Sequence, residues 1–161
     1  MDHDTGFAPR IVNDRFCFLS GCKTTTAEVW AREGSWIIGI GGNDTHKPNK
    51  LIYAMKVDRN VSIKDFRKEF PREKKHLFNN KATNALVSTE FYYLGDKAIP
   101  LPKELEHLMI HTQGCKSKAF KPDDIEILKF YLNEEGFKPG KSGNPNNQLS
   151  TKNAVGNKKP C

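Results

Sequence analysis

The sequence predicts a mixed α+β domain, with strands in the first two-thirds of the chain and helices around and after them. Residues 34–57 and 85–94 alternate in the period-2 pattern of half-buried strands. Residues 122–136 carry the start and stop signals of a helix, with Pro122 in the first turn and Gly136 at the end. Because strands and helices do not alternate regularly, a doubly wound parallel sheet is not favoured.

The most informative stretch is residues 34–57, where two β-rich runs flank a polar connector. The positions that share a face are apolar in both runs. They are Trp36, Ile38 and Ile40 in the first run and Leu51, Tyr53, Met55 and Val57 in the second. We therefore expect two strands, each with one buried side. The connector opens with Gly41 and Gly42, which allow positive φ and the close approach of a ligand or another backbone. The pattern fits a plain hairpin and also the rim of a small-barrel binding site.

The other elements follow in order. Residues 16–19 form a short apolar run, and Thr26 is placed to cap a short helix that ends before Gly34. Ser62 is the expected N-cap of a helix through about residue 69, which Pro71 stops. Residues 85–94 predict one strand, and residues 100–110 predict a helix. Ile125, Leu128 and Leu132 form the expected inner stripe of the last helix.

Charge divides the chain into a body, residues 1–137, and a tail, residues 138–161. The chain has 161 residues and a net charge of +7, but five lysines and no acid lie in the tail, which leaves +2 for the body. The tail is predicted to be disordered because it is nearly free of apolar residues. Its lysines suit non-specific phosphate affinity or solubility equally well. Residues 61–81 are also basic. This charge fits either a solvated helix face or a patch that faces phosphate groups.

Other features exclude several classes of protein. No apolar run is long enough for a membrane span, and no signal-peptide pattern is visible. The four cysteines are irregularly spaced, so a secreted disulfide framework is not indicated and a cytoplasmic protein is predicted. They are Cys17, Cys22, Cys115 and Cys161.

Candidate catalytic groups are few. Cys22 beside Lys23 fits either an activated thiol or an ordinary structural cysteine. Asp4 fits a polar site residue or a loop cap. His107 and His111 are four residues apart, but Cys17 and Cys22 are five apart, which is wider than the usual zinc knuckle, so we predict no metal and no cofactor.

An ordered series of short motifs carries a family resemblance over about residues 4–135. The motifs are DTGFAP, SGCK, GSWIIGIGG, KLIYAMKV, VSTEFYYLG, IPLP and HTQGCKS. This series resembles the second type of nucleotide-modification-associated domain, a bacterial and phage family found beside DNA base-modification systems. Its strand–loop–strand centre is also similar to PUA-like barrels such as EVE, ASCH and YTH domains.

The resemblance implies a small mixed, partly open β-barrel flanked by helices, with a pocket for a nucleotide or modified base. It implies that the residues near the ligand are Phe7, Trp36, Gly41, Gly42, Asn43, Tyr53 and Phe91. Polar contacts would come from Asp4, Cys22, Lys23 and Lys50. Aromatic rings stack on bases because every base presents a π face.

Two departures from the family pattern matter. Only three residues precede Asp4, where relatives carry a hydrophobic strand, so either the start of the chain is trimmed or the first barrel strand is missing. If the strand is missing, we expect an open sheet edge that a partner chain, including a second copy, would cover. Relatives tend to carry Gly-His-Arg where this chain has Gly114-Cys115-Lys116. The missing histidine weakens the case for catalysis. The sequence thus predicts a binding domain of a base-modification or phage-defence system, with an enzyme acting on a nucleotide or modified base as the alternative.

Overall fold

A computed structural model describes residues 9–20, 31–42, 47–76, 83–109 and 118–145, and these form two open sheets with helices outside them. The first sheet has four strands in the described residues, which are β1 (Arg10–Val12), β2 (Phe16–Leu19), β5 (Arg59–Ser62) and β6 (Asn84–Ser88). It is antiparallel, in the order β1-β2-β6-β5.

The second sheet has five strands. They are β3 (Trp36–Ile40), β4 (Lys50–Lys56), β7 (Phe91–Tyr93), β8 (Ile99–Pro100) and β9 (Gly140–Lys141). Its order is β3-β4-β7-β9, with β8 also pairing with β4. All of its pairs are antiparallel except β7 with β9.

Helices and the core complete a layered arrangement. In the described residues, the α-helices are α1 (Ile63–Glu69) and α2 (Asp124–Glu134), and 3-10 helices span Pro71–His76, Gly95–Lys97 and Lys103–Leu108. One core lies between the two sheets and joins Cys17, Leu86 and Met55. A second lies under α2, and a third joins α1 to the outer face of the first sheet. The α+β prediction is confirmed, and the sheets are open.

The sequence predicts one strand over residues 85–94, but the structure divides it between the sheets. The chain bends at Thr89 and Glu90, so β6 belongs to the first sheet and β7 to the second. The chain also passes from one sheet to the other between β4 and β5, where Asp58 lies. Asp58 accepts hydrogen bonds at 2.6 Å from both the backbone N–H and the hydroxyl of Thr89. This carboxylate ties together the two places where the chain changes sheets.

The prediction that β4 buries only one side is wrong, because Leu51 through Met55 are all buried. The register shifts between Gly39 and Ile40, which pair with Tyr53 and Leu51 respectively. Because of this bulge, Leu51 packs in the core under α2, while Tyr53 faces the other sheet. Leu51 and Tyr53 therefore do not share a face.

The helix predictions have mixed outcomes. Ser62 caps α1 as expected, since its hydroxyl accepts from the backbone N–H of Asp65 at 3.1 Å. The last helix forms as α2, and two of its three predicted inner residues, Leu128 and Leu132, are fully buried. The third, Ile125, is only half-buried, and Ile127 packs against the core instead. The expected helix over residues 100–110 is instead the 3-10 helix Lys103–Leu108. The short helix expected after Thr26 falls mostly outside the described residues.

The ordered fold continues beyond residue 137, where the sequence placed the start of the tail. Gly140 and Lys141 form β9 beside β7, and Ser142 donates its backbone N–H to the carbonyl of Tyr93 at 2.9 Å. Asn144 donates its backbone N–H to Asp96 Oδ1 at 2.8 Å. Residues 146–161 lie outside the described residues. Among the described helices, none has the length and apolar character needed to cross a membrane.

Candidate functional site

The predicted ligand site centres on the end of the β3–β4 hairpin. Gly41 extends the ladder by one residue, because its N–H donates to the carbonyl of Lys50 at 2.8 Å and its carbonyl accepts from Asn49 at 2.9 Å. Asn49 holds the positive φ of this turn, at 57°, and neither glycine does. Gly42 is exposed, and a Cβ built on it would meet nothing within 4 Å. Gly42 therefore provides open space where a side chain would lie, and it does not adopt a positive φ.

Two of the predicted aromatic residues, Tyr53 and Phe91, lie in the core between the sheets. Their exposed fractions are 1% and 2%. Phe91 pairs with Met55 on the strand next to it, β4, and both side chains face the first sheet. The Tyr53 and Phe91 rings form a rigid support behind the hairpin rather than an open stacking surface.

Trp36 lies on the opposite face of the second sheet from Tyr53. It packs in the core under α2, at the end of β3 remote from Gly41. Cross-strand partners share a face, and Trp36 pairs with Lys56 whereas Tyr53 pairs with Gly39. The structure thus brings Gly41, Gly42 and Lys50 together and separates Trp36 from them.

A charged cluster surrounds Trp36. Lys129 of α2 places its Nζ 5.3 Å from the Trp36 ring centroid and 2.8 Å from Glu90 Oε1. Lys56 approaches the other oxygen of Glu90 at 3.3 Å. The hydrogen bond from Lys129 lowers the pKa of Glu90 against the opposing effect of burial, and the same bond raises the pKa of Lys129. Glu90 therefore pairs with both Lys129 and Lys56, and Lys129 also contacts the Trp36 ring.

His107 is engaged by protein acceptors on both ring nitrogens. Its Nε2 lies 2.8 Å from Asp124 Oδ2, and its Nδ1 lies 3.1 Å from the carbonyl of Glu104. Asp124 is 2% exposed and also accepts from the backbone N–H of Lys121 at 2.8 Å. Burial opposes ionisation of Asp124, but the hydrogen bonds from Lys121 and His107 outweigh it and lower its pKa. This histidine fastens the 3-10 helix to α2 and has no ring nitrogen left for a metal.

Cys17 is fully buried in the core between the sheets. Its Sγ lies 3.7 Å from Met55 Sδ, and burial raises the pKa of the thiol well above its ordinary value. A thiol in this setting is a small apolar core residue. Across the part of the chain that the structure describes, no group of three or more His, Cys, Asp or Glu residues is arranged to hold a metal.

The basic segment of residues 61–81 is the feature that the sequence leaves most open. Lys64, Arg67 and Lys68 are exposed on α1, beside the face that buries Ile63 and Phe66. Arg15, which the sequence pattern does not single out, is also exposed, and its guanidinium lies 5.4 Å from the centre of the Phe16 ring. A cation just before an apolar strand is the only sequence signal for this contact.

Several predicted site residues lie outside the described residues. They are Asp4, Phe7, Cys22, Lys23 and Asn43. His111 and Cys115, considered as metal ligands, also lie outside them.

Comparison with known proteins gives one match. The family model described as "nucleotide modification associated domain 2" matches residues 1–82 and 67–153, which together span nearly the whole chain. A search of curated proteins and a search of solved structures each found no match. The likeness to PUA-like barrels thus stays a prediction. By its family match, this chain belongs to the nucleotide modification associated domain 2 family.

Proposed function

We propose that this chain binds a nucleotide or a modified base and acts in a nucleic-acid base-modification or phage-defence system of the bacterial cytoplasm. Membership of a family associated with nucleotide modification is the observation that carries this proposal. A binding role is preferred to catalysis because two potential catalytic groups whose side chains the structure describes, His107 and Cys17, are used inside the fold. His107 is bonded on both nitrogens, and Cys17 is buried with a raised pKa.

The proposed contact surface is the end of the β3–β4 hairpin. Gly42 has open space around its α-carbon, so a planar base can approach the backbone closely. Lys50 is half-buried beside Pro100 and supplies a cation for a phosphate or a polar base edge. Asn43 belongs to the same connector in the sequence. Tyr53 and Phe91 hold the hairpin rigidly from behind, which reduces the ordering cost of binding.

The test is an amide NMR titration of the full chain with plain and modified mononucleotides. We expect the signals of Gly41, Gly42 and Lys50 to shift at submillimolar ligand, while the indole signal of Trp36 on the opposite face stays in place. Lys50→Ala should weaken binding several-fold. Lys97→Ala, which removes an exposed cation from the loop after β7, is the matched control and should bind as the wild type does.

Absence of any hairpin shift at millimolar ligand contradicts the proposal. Shifts confined to the Trp36 side would place the ligand elsewhere. Recovery of the nucleotide unchanged after long incubation supports a binding domain. Its conversion to a product would instead support an enzyme, with Asp4, Cys22 and Lys23 as the residues to replace first.

The partner proposal extends to a second copy of this chain. Within the described residues, β1 and β5 end the first sheet, and edge strands are places where another chain adds a strand. Light scattering of the full chain tests this. A monomer at every concentration measured would rule out the homodimer and leave nucleotide binding unaffected.

A further inference from the structure

The exposed surface of α1 separates its positive side chains from its negative ones. The helix is seated by Ile63 and Phe66, which are buried in the core on the first sheet. At 3.6 residues per turn, Arg67, Lys64 and Lys68 lie about 40–140° around the helix axis from Ile63. By the same geometry, Asp65 and Glu69 lie at about 200–240°. One flank of α1 is therefore cationic.

Three carboxylates near this flank are already paired with cations, and one of these cations, Lys68, belongs to the flank itself. Glu69 receives two hydrogen bonds from Arg59, at 2.7 and 3.0 Å, and hydrogen bonding from Arg59 lowers the pKa of Glu69. Glu73 pairs with Arg10, and Asp65 pairs with Lys68 at 3.4 Å. All three acids are thus neutralised by a neighbour and do not offset the remaining cations.

Three cations remain uncompensated after these pairings. In the described segments, Lys64, Arg67 and Arg72 are exposed and form no ion pair with an acid. Arg72 lies in the 3-10 helix Pro71–His76, which follows α1 directly. A stretch of surface with three unpaired cations is complementary to a ligand that carries several negative charges in a row.

The flank is also held rigidly. The Phe66 ring meets Phe18 edge-on at 4.9 Å between centroids and lies 5.1 Å from Phe70. Phe70 in turn meets Phe16, the ring under Arg15, at 5.5 Å. These ring contacts fasten the middle and the C-terminal end of α1 to the first sheet, so the backbone that carries its cations is fixed before any ligand arrives. A backbone that is already ordered loses little conformational freedom on binding.

We infer that this cationic flank, comprising Lys64, Arg67, Lys68 and Arg72, binds the phosphodiester backbone of a nucleic-acid strand. The inference rests on the proposed function for the identity of the polyanion, and it deepens that function. The substrate would be a base within a polymer rather than a free nucleotide. The flank belongs to the first sheet and the hairpin to the second, so the two surfaces can be altered independently.

The test uses the full chain and a fluorescent single-stranded oligonucleotide, with anisotropy followed over a range of salt. We expect the triple variant Lys64→Gln, Arg67→Gln, Arg72→Gln to bind at least about tenfold more weakly at low salt. The slope of log affinity against log salt should fall by about 0.7 for each phosphate that is no longer neutralised, or roughly 2 in total. The matched control Lys97→Gln, Lys103→Gln, Lys138→Gln removes three exposed cations elsewhere and should keep most of the affinity.

Three outcomes overturn the inference: equal binding by wild type and the flank variant, equal weakening of the flank and control variants, or equal binding of polyglutamate by the wild type. A mononucleotide titration separates this inference from the proposed function. If the flank variant loses oligonucleotide binding but keeps the hairpin shifts with mononucleotide, both the flank and the hairpin site are supported. If the wild type shows no mononucleotide shift at all and the flank variant still loses oligonucleotide binding, the flank is supported and the hairpin site is contradicted. Thermal melts of both variants confirm that they fold.

Discussion

The ring of Tyr53 lies directly over the α-carbon of Gly39, its cross-strand partner on β3. A Cβ built on Gly39 would clash with three atoms of the ring, and even the most distant of them, Tyr53 Cζ, would be only 2.6 Å away. Gly39 is thus required for space and not for a positive φ, since its φ is not in that region. A tyrosine ring that covers a strand glycine restores apolar contact where the glycine has no side chain.

Replacing Gly39 by alanine should therefore force the Tyr53 ring out of place. Overpacking of this kind costs about 1–3 kcal/mol of the free energy of unfolding, which urea denaturation measures. Gly42→Ala, two residues after the end of the same strand, is the control, because its new Cβ would enter open space. Similar destabilisation by both alanines would mean that the hairpin tolerates no side chain rather than that Tyr53 covers Gly39.

Two truncations test where the ordered fold ends. Removing residues 138–161 deletes β9 and the hydrogen bonds that Ser142 makes to Tyr93 and Asn144 makes to Asp96. Each missing hydrogen bond costs about 1 kcal/mol, so the melting temperature should fall by several degrees. Truncation after Pro145 keeps all of these contacts. We expect it to melt like the full chain, and equal melting of the two truncated proteins would contradict a role for β9.

How far the sequence predicts this fold depends on the range of the interactions involved. The alternation of apolar residues in 36–40 and 50–57 is a local property of the chain, and it correctly predicts that β3 and β4 are strands. It does not predict that β4 is buried on both faces. The cap at Ser62 is also local, and it forms as expected. The bend at Thr89 is not predictable in this way. It is stabilised by Asp58, a residue 31 positions earlier in the chain that the folded structure brings into contact with Thr89.

The candidate site shows the same division. The sequence places Gly41, Gly42 and Lys50 at one hairpin end, and the structure agrees. It also groups Trp36 with Tyr53, but the cross-strand register pairs Trp36 with Lys56 and Tyr53 with Gly39, which puts the two aromatic residues on opposite faces. No local pattern reveals that register. Likewise, the pairing of Glu69 with Arg59 needs the seating of α1 beside β5. Only the folded chain therefore shows which cations of α1 remain uncompensated.

Asp124 provides a prediction about pH. Its pKa is lowered in the folded state, so it stabilises the fold above its unfolded pKa of about 3.9, and this contribution is lost as pH falls through the lower folded value. Asp124→Asn should lower the free energy of unfolding by about 1–3 kcal/mol at neutral pH. The difference between the two proteins, measured in urea, should shrink as pH falls below about 4. A difference that stays constant to the acid limit would contradict the role assigned to the ionised carboxylate.

Cys17 should be chemically silent in the native protein. Two effects act together: the side chain has no exposed surface, and burial raises the pKa of its thiol, so the reactive thiolate is scarce. Iodoacetamide should therefore leave Cys17 unmodified in the native chain and label it readily in denaturing urea, as peptide mass spectrometry would show. The urea sample serves as the control for intrinsic reactivity at the same pH. Fast labelling in the native state would mean that the two sheets separate often enough to expose their shared core, which would also weaken the support that Tyr53 and Phe91 give to the hairpin.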